Sequence, residues 1–203
     1  DFYNLSASFS GLIEISPKVF IGANISKTSR TPTIEELFSE GPHLAAYSYE
    51  IGNPNLKSES GYGGEFFAYH KFGSLFFHLS FYGNYFTNYI IPRNSGEINY
   101  ATFLPIYVTS GVEAKLYGSE LKAELYITEK LKFSASGSYT IGELENGSPL
   151  PQIPPLKGLL ELSYTKDQLI TGISIELANS QKKLDQFEEQ TAGYAVVNGY
   201  VQY

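Results

Sequence analysis

Residues 131–141 alternate without a fault. Leu131, Phe133, Ala135, Gly137, Tyr139 and Ile141 share one face, and Lys132, Ser134, Ser136, Ser138 and Thr140 the other. Successive side chains of a strand point to opposite sides, so a strict period of two reads as a strand with one apolar and one polar face. The pattern recurs along the chain. Over residues 3–14, Leu5, Ala7, Phe9, Gly11 and Ile13 oppose Asn4, Ser6, Ser8, Ser10 and Glu14, with Leu12 the exception. Val19, Ile21, Ala23 and Ile25 oppose Gly22, Asn24 and Ser26, with Phe20 breaking the polar face. Leu75, Phe77, Leu79, Phe81 and Tyr85 oppose His78, Ser80, Asn84 and Asn88. Further strands are expected at 158–165, 168–178 and 194–203.

The connections alternate in length. Short ones fall at 15–17, 73–74, 129–130 and 166–167, and long ones at 27–58, 91–104, 143–157 and 179–192. Strands near ten residues, with short turns at one end and long loops at the other, suit a tilted membrane-spanning meander. Soluble sandwiches use strands of about 5–6 residues and have no reason to segregate their long loops. The expected fold is therefore all-β: an antiparallel up-and-down meander forming part of a transmembrane β-barrel. Tyr85, Phe86, Tyr89, Tyr107, Tyr126, Tyr139 and Tyr164 lie near strand ends, where interfacial aromatic girdles occur. One strand, 106–127, switches parity: Val112, Ala114 and Leu116 are even, whereas Leu121, Ala123, Leu125 and Ile127 are odd. One extra residue restores the faces, which predicts a β-bulge at Gly118-Ser119.

Composition narrows the function classes. The 203 residues contain no Cys, Met or Trp, which removes disulfides, thiolate metal sites and thiol nucleophiles. Tyr (17), Phe (14) and Gly (19) favour strands and turns. The net charge of −7 argues against a nucleic-acid partner. No run of about 18 apolar residues offers a transmembrane helix. No Gly-x-Ser-x-Gly elbow and no phosphate-cradling loop is present. Glu120 and Glu124, with Lys122 between them on one strand face, read as a charge ladder rather than a catalytic pair. No cofactor is implied and no enzyme is expected.

The long segment 27–58 carries the most distinctive residues. Pro32 stops a strand, Thr33 with Glu36 fits a capping box for a helical turn over Ile34–Phe38, and Asn53-Pro54 initiates a turn that Leu56 staples back. The ordered run Arg30, Pro32, Glu36, Leu37, then Gly52, Asn53, Pro54, Leu56 and Glu59 resembles the barrel of TonB-dependent outer-membrane receptors. Gly118-Ser119-Glu120-Leu121, Pro151-Gln152-Ile153-Pro154-Pro155 and Gly193-Tyr194-Ala195-Val196-Val197-Asn198 add to that likeness, which covers nearly the whole chain. By the residues alone, these motif positions read as scaffolding.

The resemblance implies an outer-membrane receptor that takes up a scarce nutrient (a metal ion, metal chelate or haem) with energy from a TonB system. It implies membrane lipid and a small nutrient as partners, and a monomer when intact. Residues 1–203 would be about nine strands of a barrel that closes with about 22, with the plug domain and closing strands absent from the chain. A non-transporting barrel or adhesin binding through its long loops is the alternative. His43 and Glu50 are the candidate substrate ligands. Their surroundings, Gly41 to Glu50, are similar to receptors linked to zinc uptake, where a His in this loop helps to capture metal, so His43 is also the candidate zinc ligand. Two ligands from one loop fall short of a site. His78 is expected to face the lumen and His70 to lie near a short turn, neither with metal-ligand spacing.

Overall fold

The structure, a computed structural model, describes residues 2–203. In chain order the elements are β1 (Ala7–Ser16), β2 (Val19–Arg30), α1 (Ile34–Phe38), β3 (Glu40–His43), β4 (Ser48–Ile51), β5 (Glu59–Phe72) and β6 (Leu75–Asn99). They continue with β7 (Leu104–Tyr126), β8 (Leu131–Leu144), β9 (Lys157–Lys166), β10 (Leu169–Ala178) and β11 (Tyr194–Gln202). Among the described residues the eleven strands form a single sheet. Nine run as the expected antiparallel meander, in the order β1-β2-β5-β6-β7-β8-β9-β10-β11. β3 pairs with β4, and β4 runs parallel to β7.

Register explains why the period of two is so strict. A row of directly opposed residues crosses all nine strands: Ile13, Ile21, Ala68, Leu79, Leu121, Gly137, Gly158, Leu177 and Ala195. Every member is apolar. One step along the strands the row reads Glu14, Phe20, Tyr69, His78, Lys122, Ser136, Leu159, Glu176 and Val196, on the other face. A one-residue slip anywhere would exchange these faces. The first row belongs to the face that meets lipid, and its side chains are exposed here: Ile13 is 68 % and Leu177 42 % accessible. From Leu131 to Ile141 the apolar face of β8 advances about 33 Å along the strand. At a tilt near 40° that is about 25 Å of height, the apolar band of an outer-membrane barrel.

The expected bulge at Gly118-Ser119 is absent. Gly118 and Ser119 pair without interruption to Tyr82 and Phe81 on one side and to Thr140 and Tyr139 on the other. The environment changes instead of the register. Below this level the odd residues Leu121, Ala123 and Leu125 lie on the lipid face. Above it the same face carries Lys115 and Glu113, while the even residues Val112, Ala114 and Leu116 pack beneath Leu150 and Ile153 of the following loop. The parity switch marks the strand's exit from the membrane. Tyrosines sit at the boundary on the lipid face: Tyr62, Tyr85, Tyr117 and Tyr139, with Tyr85 donating to Glu113 at 2.7 Å and Tyr117 to Glu143 at 3.0 Å. Tyr85 and Tyr139 thus fit the expected girdle. Phe86, Tyr89 and Tyr126 do not, because register puts them on the opposite face.

Bulges occur one strand over. The β6–β7 ladder shifts between Phe86 and Tyr89 and between Asn94 and Ile98, with Asn88 (φ 54°) and Gly96 (φ 81°) in the left-handed region. The expected loop 91–104 is therefore mostly strand, and the hairpin rises to Asn99 and Leu104. Gly118 has a steric reason. Tyr82 lies across it to reach the Thr140 hydroxyl at 2.6 Å, and a Cβ at 118 would stand 2.6 Å from the Tyr82 oxygen. Tyr200 crosses Gly172 in the same way to donate to Glu161 at 3.2 Å. Aromatic rings laid over cross-strand glycines pin register.

Candidate functional site

The long loops gather at one end of the sheet. Segment 31–58 is more ordered than a loop, because it contains α1 and the β3–β4 hairpin, and β4 reaches β7. Its anchor is Arg30, which faces Glu59 across the β2–β5 ladder. The guanidinium forks onto Glu36 at 2.9 and 3.0 Å and onto Glu59 at 3.2 and 3.3 Å. Glu59 also accepts from the Ile90 N–H at 2.9 Å, which ties three strands to one cluster. The capping box is present: Glu36 accepts from the Thr33 N–H at 2.8 Å and the Thr33 hydroxyl from the Glu36 N–H at 3.2 Å. Pro32 is buried at the entry to this turn, and Leu37 donates its N–H to the Thr33 carbonyl.

The second half of the motif closes on the first. Gly52 donates to the Ser39 carbonyl at 2.7 Å and Asn53 to the Glu36 carbonyl at 2.8 Å. The Asn53 side chain accepts from the Asn55 N–H at 2.9 Å, turning the chain at Pro54-Asn55, and Leu56 is buried. Burial pushes the Glu36 carboxyl up, but hydrogen bonds from Arg30 and from the Thr33 N–H outweigh it and hold the group below the usual carboxylate range. A lowered folded value contributes stability that is complete above the usual range and is lost as pH falls through the folded value. Protease resistance of residues 40–51 will therefore hold from neutral pH to the usual carboxylate range and decline below it. A Glu36→Gln variant will show a lower, flatter profile over the same titration.

His43 and Glu50 meet. Their hairpin partners are Ser48 and Gly41, and the diagonal brings His43 Nδ1 to 2.8 Å from Glu50 Oε1, which also accepts from the Ser48 hydroxyl at 3.2 Å. The carboxylate thus occupies one ring nitrogen and leaves Nε2 for any further partner. Among the described residues no group of three or more His, Asp or Glu side chains is placed to hold a metal. His78 lies on the polar face, opposite Lys122, and shares a cavity of about 480 Å³ with Glu120, Lys122, Ser136, Lys157 and Glu176. His70 lies on the lipid-facing parity, its ring 5.9 Å from that of Phe72. Lys122 and Glu124 make the expected ladder contact at 3.0 Å.

A second cluster was visible in the sequence only through the run Pro151-Gln152-Ile153-Pro154-Pro155. The Gln152 N–H donates to Glu188 Oε1 at 2.7 Å, Gln181 Nε2 donates to the Ile153 carbonyl, and Arg93 on the tall hairpin reaches Asp185 at 3.5 Å. Loops 145–156 and 179–193 and the β6–β7 hairpin are therefore joined to one another. These contacts link residues 92 apart in the case of Arg93 and Asp185. For its other members the only local hints were an arginine after Pro92 and the charged character of the last loop.

A meander with an apolar band, a tyrosine belt at its upper edge and interlocked loops above it is the wall and loop assembly of an outer-membrane β-barrel. The model of the TonB-dependent receptor-like β-barrel family matches residues 2–203, and the chain belongs to that family. Its place is the outer membrane, and the family is one of receptors and transporters. An iron-regulated outer membrane virulence protein of Vibrio cholerae serotype O1 (El Tor Inaba N16961) is 29 % identical over 171 residues, 78 % of this chain and 26 % of that protein. Among solved structures, the copper transporter OprC superposes with a TM-score of 0.79 at 21 % identity, over 95 % of this chain and 30 % of that one. The siderophore receptor PirA from Acinetobacter baumannii gives 0.73 at 15 % identity, over 97 % and 34 %. The ferric enterobactin receptor PfeA from Pseudomonas aeruginosa gives 0.71 at 19 % identity, over 95 % and 32 %. The chain spans about a quarter of the curated relative's length, 26 %.

Proposed function

We propose that the full-length protein takes up a scarce metal nutrient (a metal ion, a metal chelate or haem) across the outer membrane, driven by a TonB system acting through a plug domain outside this chain. The chain supplies wall and loops and performs no chemistry on its cargo. Its partners are membrane lipid and a small nutrient, it binds no nucleic acid, and the intact receptor is a monomer. The observation that carries this reading is the set of interlocked loops above a polar inner face, in a chain whose family match runs from residue 2 to 203. The name of the Vibrio cholerae relative, which ties it to iron regulation, favours a metal nutrient. Uptake of radiolabelled iron, copper and zinc, free and chelated, tests it in cells with and without the protein. At least one form will depend on both the protein and a working TonB system. Uptake that is indifferent to both would overturn the proposal.

Within this reading His43 is a zinc ligand through Nε2, with Glu50 orienting the ring as carboxylates do for metal-bound histidines. Further ligands come from outside the pair, in other loops or the plug. His43→Ala in the full-length protein will lower zinc affinity strongly, and Glu50→Gln will lower it by about tenfold or more. Unchanged affinity in His43→Ala removes this residue from any site and leaves the uptake proposal standing.

A further inference from the structure

His70 interrupts an apolar row. On the lipid face it shares one register row with Val19, Phe77, Ala123, Ala135, Leu160 and Ile175, and it is the one polar side chain among them. An imidazole turned toward hydrocarbon without a partner is costly. No carboxylate meets it, since His70 takes part in none of the ion pairs among the described residues. Its height offers another partner. On the same strand Tyr62 marks the upper membrane boundary, and Phe72 lies about 33 Å further along. At a tilt of about 40° that is about 25 Å of height, the full apolar band. Phe72 therefore stands at the lower edge of the band, beside the short periplasmic turns, and His70 just inside it.

A cation occupies the same place. Lys18, on the turn between β1 and β2, lays its ammonium over the Phe72 ring at 5.6 Å from the centroid. The ring is 66 % accessible and lies 5.9 Å from that of His70. The Lys71 N–H donates to the Lys18 carbonyl at 2.9 Å and fixes this turn against β5. Lys18 is likewise in no ion pair among the described residues, and Glu14, the acid before it in sequence, is opposed to Phe20 on the inner face. We propose that Lys18 and His70, on either side of Phe72, form a headgroup site for an anionic phospholipid of the periplasmic leaflet. The phosphate meets the Lys18 ammonium and an imidazole N–H, and the acyl chains run along Val19 and Phe77. A zwitterionic headgroup would set its own ammonium beside Lys18, with no carboxylate on this face to receive it. Charge therefore favours a headgroup whose phosphate is its only ion, such as phosphatidylglycerol. The inference rests on the outer-membrane place of the barrel and not on the uptake reading.

A fluorophore on Ser74→Cys, at an exposed turn close to Phe72, tests this in the full-length protein without other cysteines, reconstituted in phosphatidylcholine vesicles. Quenching by phosphatidylglycerol carrying a nitroxide near its headgroup is compared with quenching by phosphatidylcholine labelled alike. Phosphatidylglycerol will occupy the site about two- to fivefold better, the scale of one lysine beside anionic lipid, and high salt will shrink the preference. Lys18→Gln will remove the preference and His70→Ala will reduce it. Lys71→Gln removes the same charge from the neighbouring turn, but from the parity that faces the lumen, and will leave the preference intact. Protection of β8 from hydrogen exchange verifies that each variant is folded. Equal quenching by the two lipids, an undiminished preference in Lys18→Gln or His70→Ala, or an equal loss in Lys71→Gln overturns the inference. The readout needs no transport, so its failure is separate from failure of the uptake measurement.

Discussion

In the full-length protein, Gly52→Val will detach the β3–β4 hairpin from α1. A Cβ at residue 52 would stand 2.6 Å from the Phe38 nitrogen and 2.7 Å from the Leu37 carbonyl carbon and the Ser39 nitrogen. These are backbone atoms and have no rotamer to yield with. Relief requires moving the strand away, which breaks the 2.7 Å bond from Gly52 to Ser39 and the 2.8 Å bond from Asn53 to Glu36. Overpacking of this kind costs about 2–3 kcal/mol. Hydrogen exchange of residues 39–53 will rise accordingly, while β8 and β9 stay protected. Gly41→Ala, where a Cβ meets nothing within 4 Å, is the matched control and will behave as wild type. Equal exchange in Gly52→Val and wild type would mean that the motif is not closed as described.

Leu150→Ala will be of similar or larger effect at the other cluster. Leu150 is 2 % accessible and packs with Ala114 and Leu144, with Val112, Leu116 and Ile153 around them. Truncating a fully buried leucine costs about 2–5 kcal/mol. Loop 145–156 will lose protection first, starting with the Leu150 amide, which donates to the Gly142 carbonyl at 2.9 Å. Loop 179–193 will follow, since Gln181 and Glu188 hold it to residues 152–153. The Arg30–Glu36–Glu59 cluster meets this core only at β6, where Ile90, its N–H on Glu59, lies between Tyr89 and Ile91, and will be much less affected. A uniform loss across both clusters would show that the loops form one cooperative unit rather than two.

The nine-strand meander was legible because its two faces meet different solvents, and lipid against lumen enforces a period of two over every register row. The same logic misplaced the bulge. Alternation reports environment, and β7 changes environment at Tyr117 without changing register, whereas the true irregularities sit on β6, at Asn88, where the regular alternation of residues 75–85 ends, and at Gly96 beyond it. The local chemistry of segment 31–58 was also legible: Thr33 with Glu36 and Asn53 with Asn55 act within two or three residues of one another. What Arg30, Glu59 and Ile90 do together was not, since they are united by strand pairing. His43 and Glu50 are seven residues apart in sequence, and only the hairpin turn through Tyr47 (φ 51°) makes them neighbours. Arg93 and Asp185 carried no local signal beyond their charges. Their meeting depends on how far one hairpin rises and where a distant loop folds.

The most direct test of the wall is a nitroxide scan along β7 from Gly111 to Leu125 in the reconstituted full-length protein, comparing accessibility to oxygen, which prefers lipid, with that to a water-soluble paramagnet. Oxygen accessibility will peak at Leu121, Ala123 and Leu125. At Glu113 and Lys115 the same odd face will turn to water, and Val112, Ala114 and Leu116 will be shielded from both probes, with no break in phase at Gly118. A phase shift at Gly118-Ser119, or lipid exposure of Val112, Ala114 and Leu116, would contradict the single unbroken sheet and the membrane boundary drawn through Tyr117.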